Sequence, residues 1–383
     1  MSTTDNTLQR IFREIAKSGE VSTRALARAA GLQASTLAAK VRTLQRKGLV
    51  EFRDGRAKVG INADFGYVVG IDLGASHLHF ALADFRGKIL SDTTVNIRPE
   101  DGPQTMIGQI KEGIRGMAEK AGHGRLRALA IGVPSPVDPV RGVVSFANNL
   151  PGWKDVHLGH ELEREFRVPI FMENDANMAA IGEHWRGVAR GVDNFVFIAL
   201  GTGIGSGIFI DGKLYRGRTG SAGEVFRMNI EWQRWAEEFP DTGYFENFVS
   251  GLGIAAEGRK LRAASGTGEP AGLREGRDAY FVFEAFRQGN AEARAVLEKI
   301  FTMFGVGVAN VVAIVDPDLI VLGGGIVKGA PDLMLAILDK VVHRLQPDPP
   351  PIQLSSLEDK AQTYGAIHSA LTVAQEAILR RLR

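Results

Sequence analysis

Three short stretches of helical periodicity open the chain. Leu8, Ile11, Phe12 and Ile15 recur on one face, and the run ends at Ser18-Gly19. Ser22 is placed to cap a second helix carrying Leu26 and Ala29, which stops at Gly31. Ser35 is placed to cap a third, in which Leu37, Val41 and Leu44 form one apolar stripe and Gly48 ends the run. With that stripe buried, Gln33, Ser35, Thr36, Ala39, Lys40, Arg42 and Thr43 occupy the remaining surface. A short second helix, a tight turn and a long third helix make a helix-turn-helix. Leu49–Phe52 and Lys58–Ile61, joined at Asp54-Gly55, then predict a β-hairpin carrying Arg53, Arg56 and Lys58, able to serve as a wing. From Gly66 the pattern changes. Apolar runs at 67–73, 79–83, 128–133, 169–172, 195–200 and 319–322 alternate with helical stretches and glycine turns, which predicts an α/β protein with largely parallel sheets. Asn62 to Gly66 is the expected hinge, dividing a domain at 1–62 from one at 63–383.

The length of 383 residues suits two or three domains. Charge is unevenly spread: residues 1–60 hold 12 Lys/Arg against 5 Asp/Glu, whereas the remainder holds 34 against 39. A basic head on an acidic body points to a polyanion-binding module joined to something else. An exposed third helix can enter the major groove, where Gln33, Ser35, Thr36, Lys40 and Arg42 could meet bases or phosphates. Arg53, Arg56 and Lys58 could meet phosphates or the minor groove. A three-helix module used for dimerisation is the competing reading. Cysteine is absent, which excludes disulfides and thiolate metal sites and fits a reducing cytoplasm. No apolar run is expected to reach membrane-spanning length, and the start lacks the apolar core of a signal peptide, so no membrane partner is expected.

Four motifs in the body carry chemistry. Asp72-Leu73-Gly74-Ala75-Ser76, at a hairpin tip, could admit a phosphate and a metal ion held by Asp72, or be a simple turn. Gly201-Thr202-Gly203-Ile204-Gly205 follows a strand and could present bare N–H groups to phosphate. Glu173-Asn174-Asp175-Ala176-Asn177 opens a helix. Asp175 there could accept a hydroxyl proton during phosphoryl transfer, or merely cap the helix. Gly323-Gly324-Gly325 ends a strand and could border a nucleoside or allow a helix to approach.

Taken in order, these motifs resemble the ROK family (repressors, open reading frames and sugar kinases), of the actin-like, hexokinase-like ATPase superfamily. Gly132-Val133-Pro134-Ser135-Pro136-Val137-Asp138 and Asn148-Asn149-Leu150-Pro151-Gly152-Trp153 extend the likeness over nearly all of 66–370. The resemblance implies a two-lobed fold with a cleft, preceded here by the winged head that marks the repressor branch. It implies sugar contacts from Asn148, Asn174 and Asp175, with Asp175 also the catalytic base in kinases. Glu224 falls on the glutamate of the family's Gly-Glu-x-Gly-His motif, and Glu246 on a second sugar-site glutamate. Asp72, Gly74, Ser76, Gly201, Thr202, Gly203 and Gly205 would surround ATP phosphates, with Gly323 and Gly324 beside the nucleoside.

The departures matter equally. Members usually hold structural zinc through that histidine and three cysteines. Here Phe226 and Arg227 replace the Gly-His pair, and Glu231 to Trp235 stands where cysteines are expected, so no structural zinc is expected. Trp232, Trp235, Tyr244 and Phe245 could form an apolar cluster in its place. Arg227 would favour an anionic group on the ligand, or else pair with Glu224 or Asp175. The leading expectation is a sequence-specific DNA-binding regulator, a repressor, controlled by a sugar or sugar derivative and working as a homodimer or homotetramer on operator DNA. DNA binding would need no cofactor. An ATP- and Mg-dependent sugar kinase with an accessory head is the alternative, and a partner-binding scaffold a third.

Overall fold

A computed structural model describes residues 7–122, 124–138, 141–146, 150–239, 242–264 and 277–382. The head begins with α1 (Thr7–Ser18), β1 (Glu20–Ser22), α2 (Thr23–Ala30) and α3 (Ala34–Arg46). Ser22 caps α2 as expected: its hydroxyl accepts the Ala25 N–H at 3.1 Å. Gly31 closes the helix in the left-handed region at φ 62°. Ser35 does not cap α3. Gln33 holds that position without a side-chain bond, leaving Ser35 exposed in the first turn. Ile11, Phe12, Ile15, Leu26, Leu37, Val41 and Leu44 are fully buried or nearly so, and Ala30 is buried where Ala29 was expected. The wing strands β2 (Val50–Arg53) and β3 (Lys58–Ile61) pair antiparallel, and the unforeseen β1 adds to β3, giving the order β1-β3-β2.

The expected hinge segment has a defined local structure. Residues Ala63–Phe65 form a 3-10 turn capped by Asn62, whose Oδ1 accepts the Asp64 N–H at 3.1 Å and whose Nδ2 donates to Gly48 O at 2.9 Å. Gly66 follows at φ 157°, and a Cβ there would lie 2.4 Å from Arg125 O.

The chain from there folds as β4 (Tyr67–Leu73), β5 (His77–Asp84), β6 (Ile89–Asn96), α4 (Gly102–Lys120) and β7 (Leu126–Val133). Next come β8 (Val137–Asp138), β9 (Val143–Phe146), β10 (Lys154–Val156), α5 (Leu158–Phe166) and β11 (Ile170–Asn174). Strands β4, β5 and β6 form an antiparallel meander, while β7 and β11 add in parallel, giving β6-β5-β4-β7-β11. Val69, Ile71, Phe80, Ile110, Ile131 and Trp153 lie in its core. Together with the head and the C-terminal helix, these elements make one compact unit, residues 1–174 and 363–383.

Residues 175–362 make the second unit. It contains α6 (Asp175–Arg186), β12 (Phe195–Leu200), β13 (Ile204–Ile210), β14 (Lys213–Leu214), α7 (Tyr244–Val249), α8 (Gly251–Ala264) and α9 (Arg277–Arg287). After these come α10 (Ala291–Val315), β15 (Leu319–Gly323), α11 (Gly325–Gly329), α12 (Pro331–Leu345) and β16 (Ile352–Leu354), then α13 (Ala361–Arg381), which leads back into the first unit. Its sheet repeats the first: an antiparallel meander β14-β13-β12, extended in parallel by β15 and β16. The two topologies match strand for strand.

Contrary to the sequence expectation, one helix is long and apolar enough to cross a membrane. It is α10, 25 residues with a window hydropathy of 1.6, half of that window buried within the fold. Leu297, Ile300, Phe301, Phe304 and Val308 place α10 in the core of the second unit, which accounts for its composition.

Helix α6 lies close on β13 because the strand offers glycines. A Cβ on Gly207 would sit 2.6 Å from Ala180 Cβ and 3.1 Å from Ala176 O; one on Gly201 would meet nothing within 4 Å. Gly207→Ala is therefore expected to cost about 1–3 kcal/mol, by overpacking, and Gly201→Ala less than about 0.5 kcal/mol. Chemical denaturation of the two variants checks this, and equal midpoints would contradict the overpacking.

Candidate functional site

The matching topologies put the two candidate phosphate loops at corresponding places, the tips of the β4–β5 and β12–β13 hairpins. In the first unit Asp72 ends its strand almost buried, at 8% exposure, with His77 Nε2 3.8 Å from its carboxylate. Gly74 is required beneath that ring, since a Cβ would lie 2.3 Å from His77 Cε1. The Asp72 carboxylate raises the His77 pKa, against the opposing effect of burial. Ser76 is exposed at the tip, and its carbonyl accepts the Ile97 N–H at 3.0 Å. Asn174 ends β11, its N–H donating to Glu173 Oε1 at 3.1 Å. Asn148 lies outside the described residues.

The second unit gathers most of the other candidates. Asp175 opens α6, and its Oδ1 accepts the Ala176 N–H at 2.7 Å. The α6–β13 approach fixes that end of the helix relative to the hairpin whose tip is Gly201-Thr202-Gly203. Glu246, on α7, braces the tip: its Oε2 accepts the Ile204 N–H at 2.9 Å, and a Cβ on Gly203 would lie 2.3 Å from the same oxygen. Gly205 is likewise held close, 2.9 Å from Ala176 Cβ by the same measure. Gly324, at φ 98°, crosses β12 where a Cβ would meet Leu200 O at 2.3 Å. Gly323 and Gly324 also border a cavity of about 360 Å³, together with Val327, Lys328, Leu354 and Ser355.

Glu224 precedes a 3-10 turn, Val225–Arg227, beside Ser206, whose hydroxyl donates to Gly223 O at 2.7 Å. Burial raises the Glu224 pKa; Arg227 opposes this and Glu246 adds to it. Burial also raises the Glu246 pKa, opposed by the Ile204 N–H. Arg227 itself is exposed, with its guanidinium 5.0 Å from the Phe226 ring centroid, and closes no ion pair among the described residues.

The expected aromatic cluster needs correction. Trp232 and Trp235 are 78% and 80% exposed, so neither holds the loop. Tyr244 is buried, and it packs with Phe239 and Phe248, ring centroids 4.8–6.2 Å apart. Arg234, between the two tryptophans, lays its guanidinium 4.4 Å from the Phe248 centroid and 5.6 Å from that of Tyr244, while Glu237 accepts from it at 2.6 and 2.7 Å. Among the described residues, no group of three or more His, Asp and Glu is placed to hold a metal. Aromatic composition carries no direction, so it does not tell which way the indoles face.

On the head, Gln33, Ser35, Thr36 and Arg42 are exposed on α3 and Lys40 is partly so. The wing differs from expectation. Arg53 is paired with Glu20 and Glu51 at 3.1 and 3.0 Å, and Lys58 with Glu20 and Asp54 at 3.1 and 3.0 Å. Arg56 is exposed, 5.9 Å from the Phe52 ring centroid.

Residues 68–373 match the ROK family model. The chain belongs to the ROK family. A winged helix-turn-helix DNA-binding model matches residues 4–51 of the same chain. Among ROK relatives, the xylose repressor of Caldicellulosiruptor bescii is 29% identical over 332 residues, 84% of this chain and 82% of that protein. The glucokinase of Thermotoga maritima is 32% identical over 285 residues, 73% of this chain and 88% of that protein. A ROK family transcriptional regulator described as a homolog of the E. coli MLC protein superposes with a TM-score of 0.80 over 97% of each chain, at 24% identity, a likeness of fold. The α/β kinase-like body and winged head expected from the motifs are thus both present.

Glu224 and Glu246 generate a pH signature of this ROK body. The folded state favours their protonated forms, so their contribution is best below the ordinary carboxyl range and is lost as pH rises through the raised folded values. The denaturation midpoint of the Glu224→Gln/Glu246→Gln variant is expected to fall less steeply than that of the wild type as pH rises above about 4.5. Identical pH slopes for the variant and the wild type would contradict this assignment.

Proposed function

We propose that this ROK protein is a transcriptional repressor whose affinity for operator DNA is set by a sugar or sugar derivative. One observation carries the reading: a capped helix-turn-helix exposes Gln33, Ser35, Thr36 and Arg42 on α3, in one chain with a sugar-kinase-like body. On DNA, α3 enters the major groove, with Gln33 and Thr36 toward base edges and Lys40, Arg42 and the wing's Arg56 toward phosphates. Asn148, Asn174, Asp175, Glu224 and Glu246 take the sugar hydroxyls, a set of paired acceptors and amides suited to them. Arg227, exposed and unpaired among the described residues, favours an anionic substituent. An effector that prefers one state shifts operator affinity by its differential affinity, about 1–3 kcal/mol of coupling. The xylose repressor of C. bescii makes a pentose a first candidate.

Selection from a random duplex library, followed by binding assays with xylose, glucose, amino sugars and sugar acids, tests the reading. The full chain is expected to recover a two-half-site sequence. Gln33→Ala or Thr36→Ala should change the preferred bases, each at about 1–3 kcal/mol of discrimination. Asn174→Ala and Glu246→Ala should keep unliganded binding and lose the sugar response. A chain that selects no sequence under any sugar is not a repressor.

The second reading, a sugar kinase, is favoured by the glycines. Gly203, Gly205 and Gly324 sit where side chains are excluded, and Gly323 and Gly324 border a cavity. These residues fit a nucleotide, with phosphates at the Gly201–Gly205 loop and Asp72, and the nucleoside beside Gly323 and Gly324. Bound ATP with Mg²⁺ would supply the transferable phosphoryl group and its charge neutralisation. Asp175 would hold and accept the proton of the attacking hydroxyl. Against turnover stands the acceptor side, where Arg227 occupies the family's histidine position and Arg234 with its aromatic partners replaces the zinc-held loop. A misplacement of about 1 Å costs on the order of a hundredfold. Phosphorylation of neutral sugars is therefore expected to be absent or below about 1 per second in a coupled assay. Faster turnover, abolished by Asp175→Asn, makes the protein a kinase.

A further inference from the structure

The β5–β6 turn is built to present one arginine to the head. Asp84 closes the turn, its Oδ1 accepting the N–H groups of Arg86 at 2.8 Å and Lys88 at 3.0 Å, while Gly87 adopts φ 81°. The Arg86 Nε then donates to Ile61 O at 2.6 Å, and its guanidinium pairs with Glu51. Both acceptors belong to the wing: Ile61 ends β3 and Glu51 lies in β2.

From Glu51 the ion pairs continue without a break. Glu51 Oε1 also takes Arg53, at 3.0 Å; the other arm of Arg53 reaches Glu20 at 3.1 Å. Glu20 takes Lys58 at 3.1 Å, and Lys58 ends the series on Asp54 at 3.0 Å. Three cations alternate with three carboxylates, from the body turn to the tip of the wing. The linker beneath is clamped by the same region. Phe65 lies 5.1 Å from the Phe85 ring, its carbonyl accepts Arg127 Nε at 2.9 Å, and the Arg127 guanidinium stands 3.6 Å over its ring. Phe85 N–H, next to Arg86, donates to Ala63 O at 3.2 Å. On the other side of the head, Gln9 Nε2 donates to Leu379 O of α13 at 2.8 Å.

We infer that Arg86 is a positioning residue for DNA binding, which fixes the wing on the body through this ion-pair series and leaves Arg53 and Lys58 neutralised within it. The inference rests on the DNA-binding reading. It follows that sequence and phosphate contacts fall mainly to α3 and Arg56. It follows too that a shift of the β5–β6 turn reaches the wing directly, through the bonds of Arg86 to Ile61 and Glu51. Isolated exposed pairs contribute little. Here the Arg86 bond to a backbone carbonyl and the shared carboxylates make the group act as a unit, and its exposed members stay sensitive to salt.

Amide exchange over residues 50–66 of the full chain tests the anchor, and binding to a random-sequence duplex of about two helical turns tests its consequence. Arg86→Ala is expected to speed exchange in that stretch by about tenfold, the loss of a charge-assisted bond. Arg86→Lys should fall between, because an ammonium cannot make both contacts. On the duplex, Arg53→Ala is expected to change the slope of log K against log salt by well under one unit in the wild type. In a Glu20→Gln/Glu51→Gln background it should change it by nearly one. Exchange within about twofold of wild type in Arg86→Ala overturns the anchor, whatever the DNA result. A full unit of slope from Arg53→Ala in the wild type overturns the neutralisation. A wild-type chain that does not bind duplex at all overturns the DNA-binding reading, and the role of Arg86 in DNA binding falls with it.

Discussion

The second unit is organised by how closely α6 can lie on β13. Ala176 and Ala180 face Gly205 and Gly207, and no pair of ordinary side chains could occupy that gap. The start of α6 is Asp175 and the start of the hairpin is the Gly201–Gly203 tip, so one contact between small residues sets both. Glu246 then closes on Gly203, and Gly324 on Leu200, each again at a distance only glycine permits. The first unit uses the same device. Gly70 of β4 lies against α13, where a Cβ would meet Ala366 Cβ and Ile367 N at 3.0 Å. In both sheets a strand is stripped of its side chain at the point where a helix must approach, and the chemistry-bearing loops lie at the carboxyl ends of strands so positioned.

Desolvated carboxylates are the cost of that arrangement. Glu224 and Glu246 are drawn out of water near one another, and burial pushes both toward protonation. A charged residue ties the segment between them to the aromatic cluster. Arg234 does so by stacking on Tyr244 and Phe248 while Glu237 binds its guanidinium. Such a pin is weaker than a coordinated ion, by many kcal/mol for a structural zinc against about 0.5–2 for a cation over an aromatic face.

What could be read from the sequence was what periodicity and glycine impose locally. The buried stripe of α3, the Ser22 cap, the Gly31 stop and the strands at 67, 126, 195 and 319 all follow from side-chain spacing or from a backbone conformation that one residue type favours. What escaped reading depended on direction or on distant partners. Trp232 and Trp235 look like core and point outward, because a 3-10 turn set by Arg234 and Glu237 turns them away. Asn62 to Gly66 looks like a hinge, and its contacts with Arg127 and Phe85 come from partners remote in sequence. Helix α10 reads as an ordinary core helix only once its surroundings are known. The Glu20–Arg53–Glu51–Arg86 series joins three segments, and no single window of sequence contains it.

The course of the chain suggests how a ligand could act on the head. The chain passes between its two units twice, once at Asn174–Asp175 and once at Gln362–Thr363. The first passage is the motif proposed to hold the sugar. The second falls in the first turn of α13, a helix of 21 residues packed on β4 near its start and bonded to Gln9 of the head near its end. A ligand at Asn174 and Asp175, as proposed, would therefore bear on one of the two connections. Helix α13 spans about 30 Å and cannot bend cheaply over that length. The head is bonded to the rest of the first unit at two places, at Leu379 through Gln9 and at Arg86 through Ile61 and Glu51, and a shift of α13 would have to be taken up between them. A sugar with no contact to DNA would then alter operator binding only by moving one of those attachments.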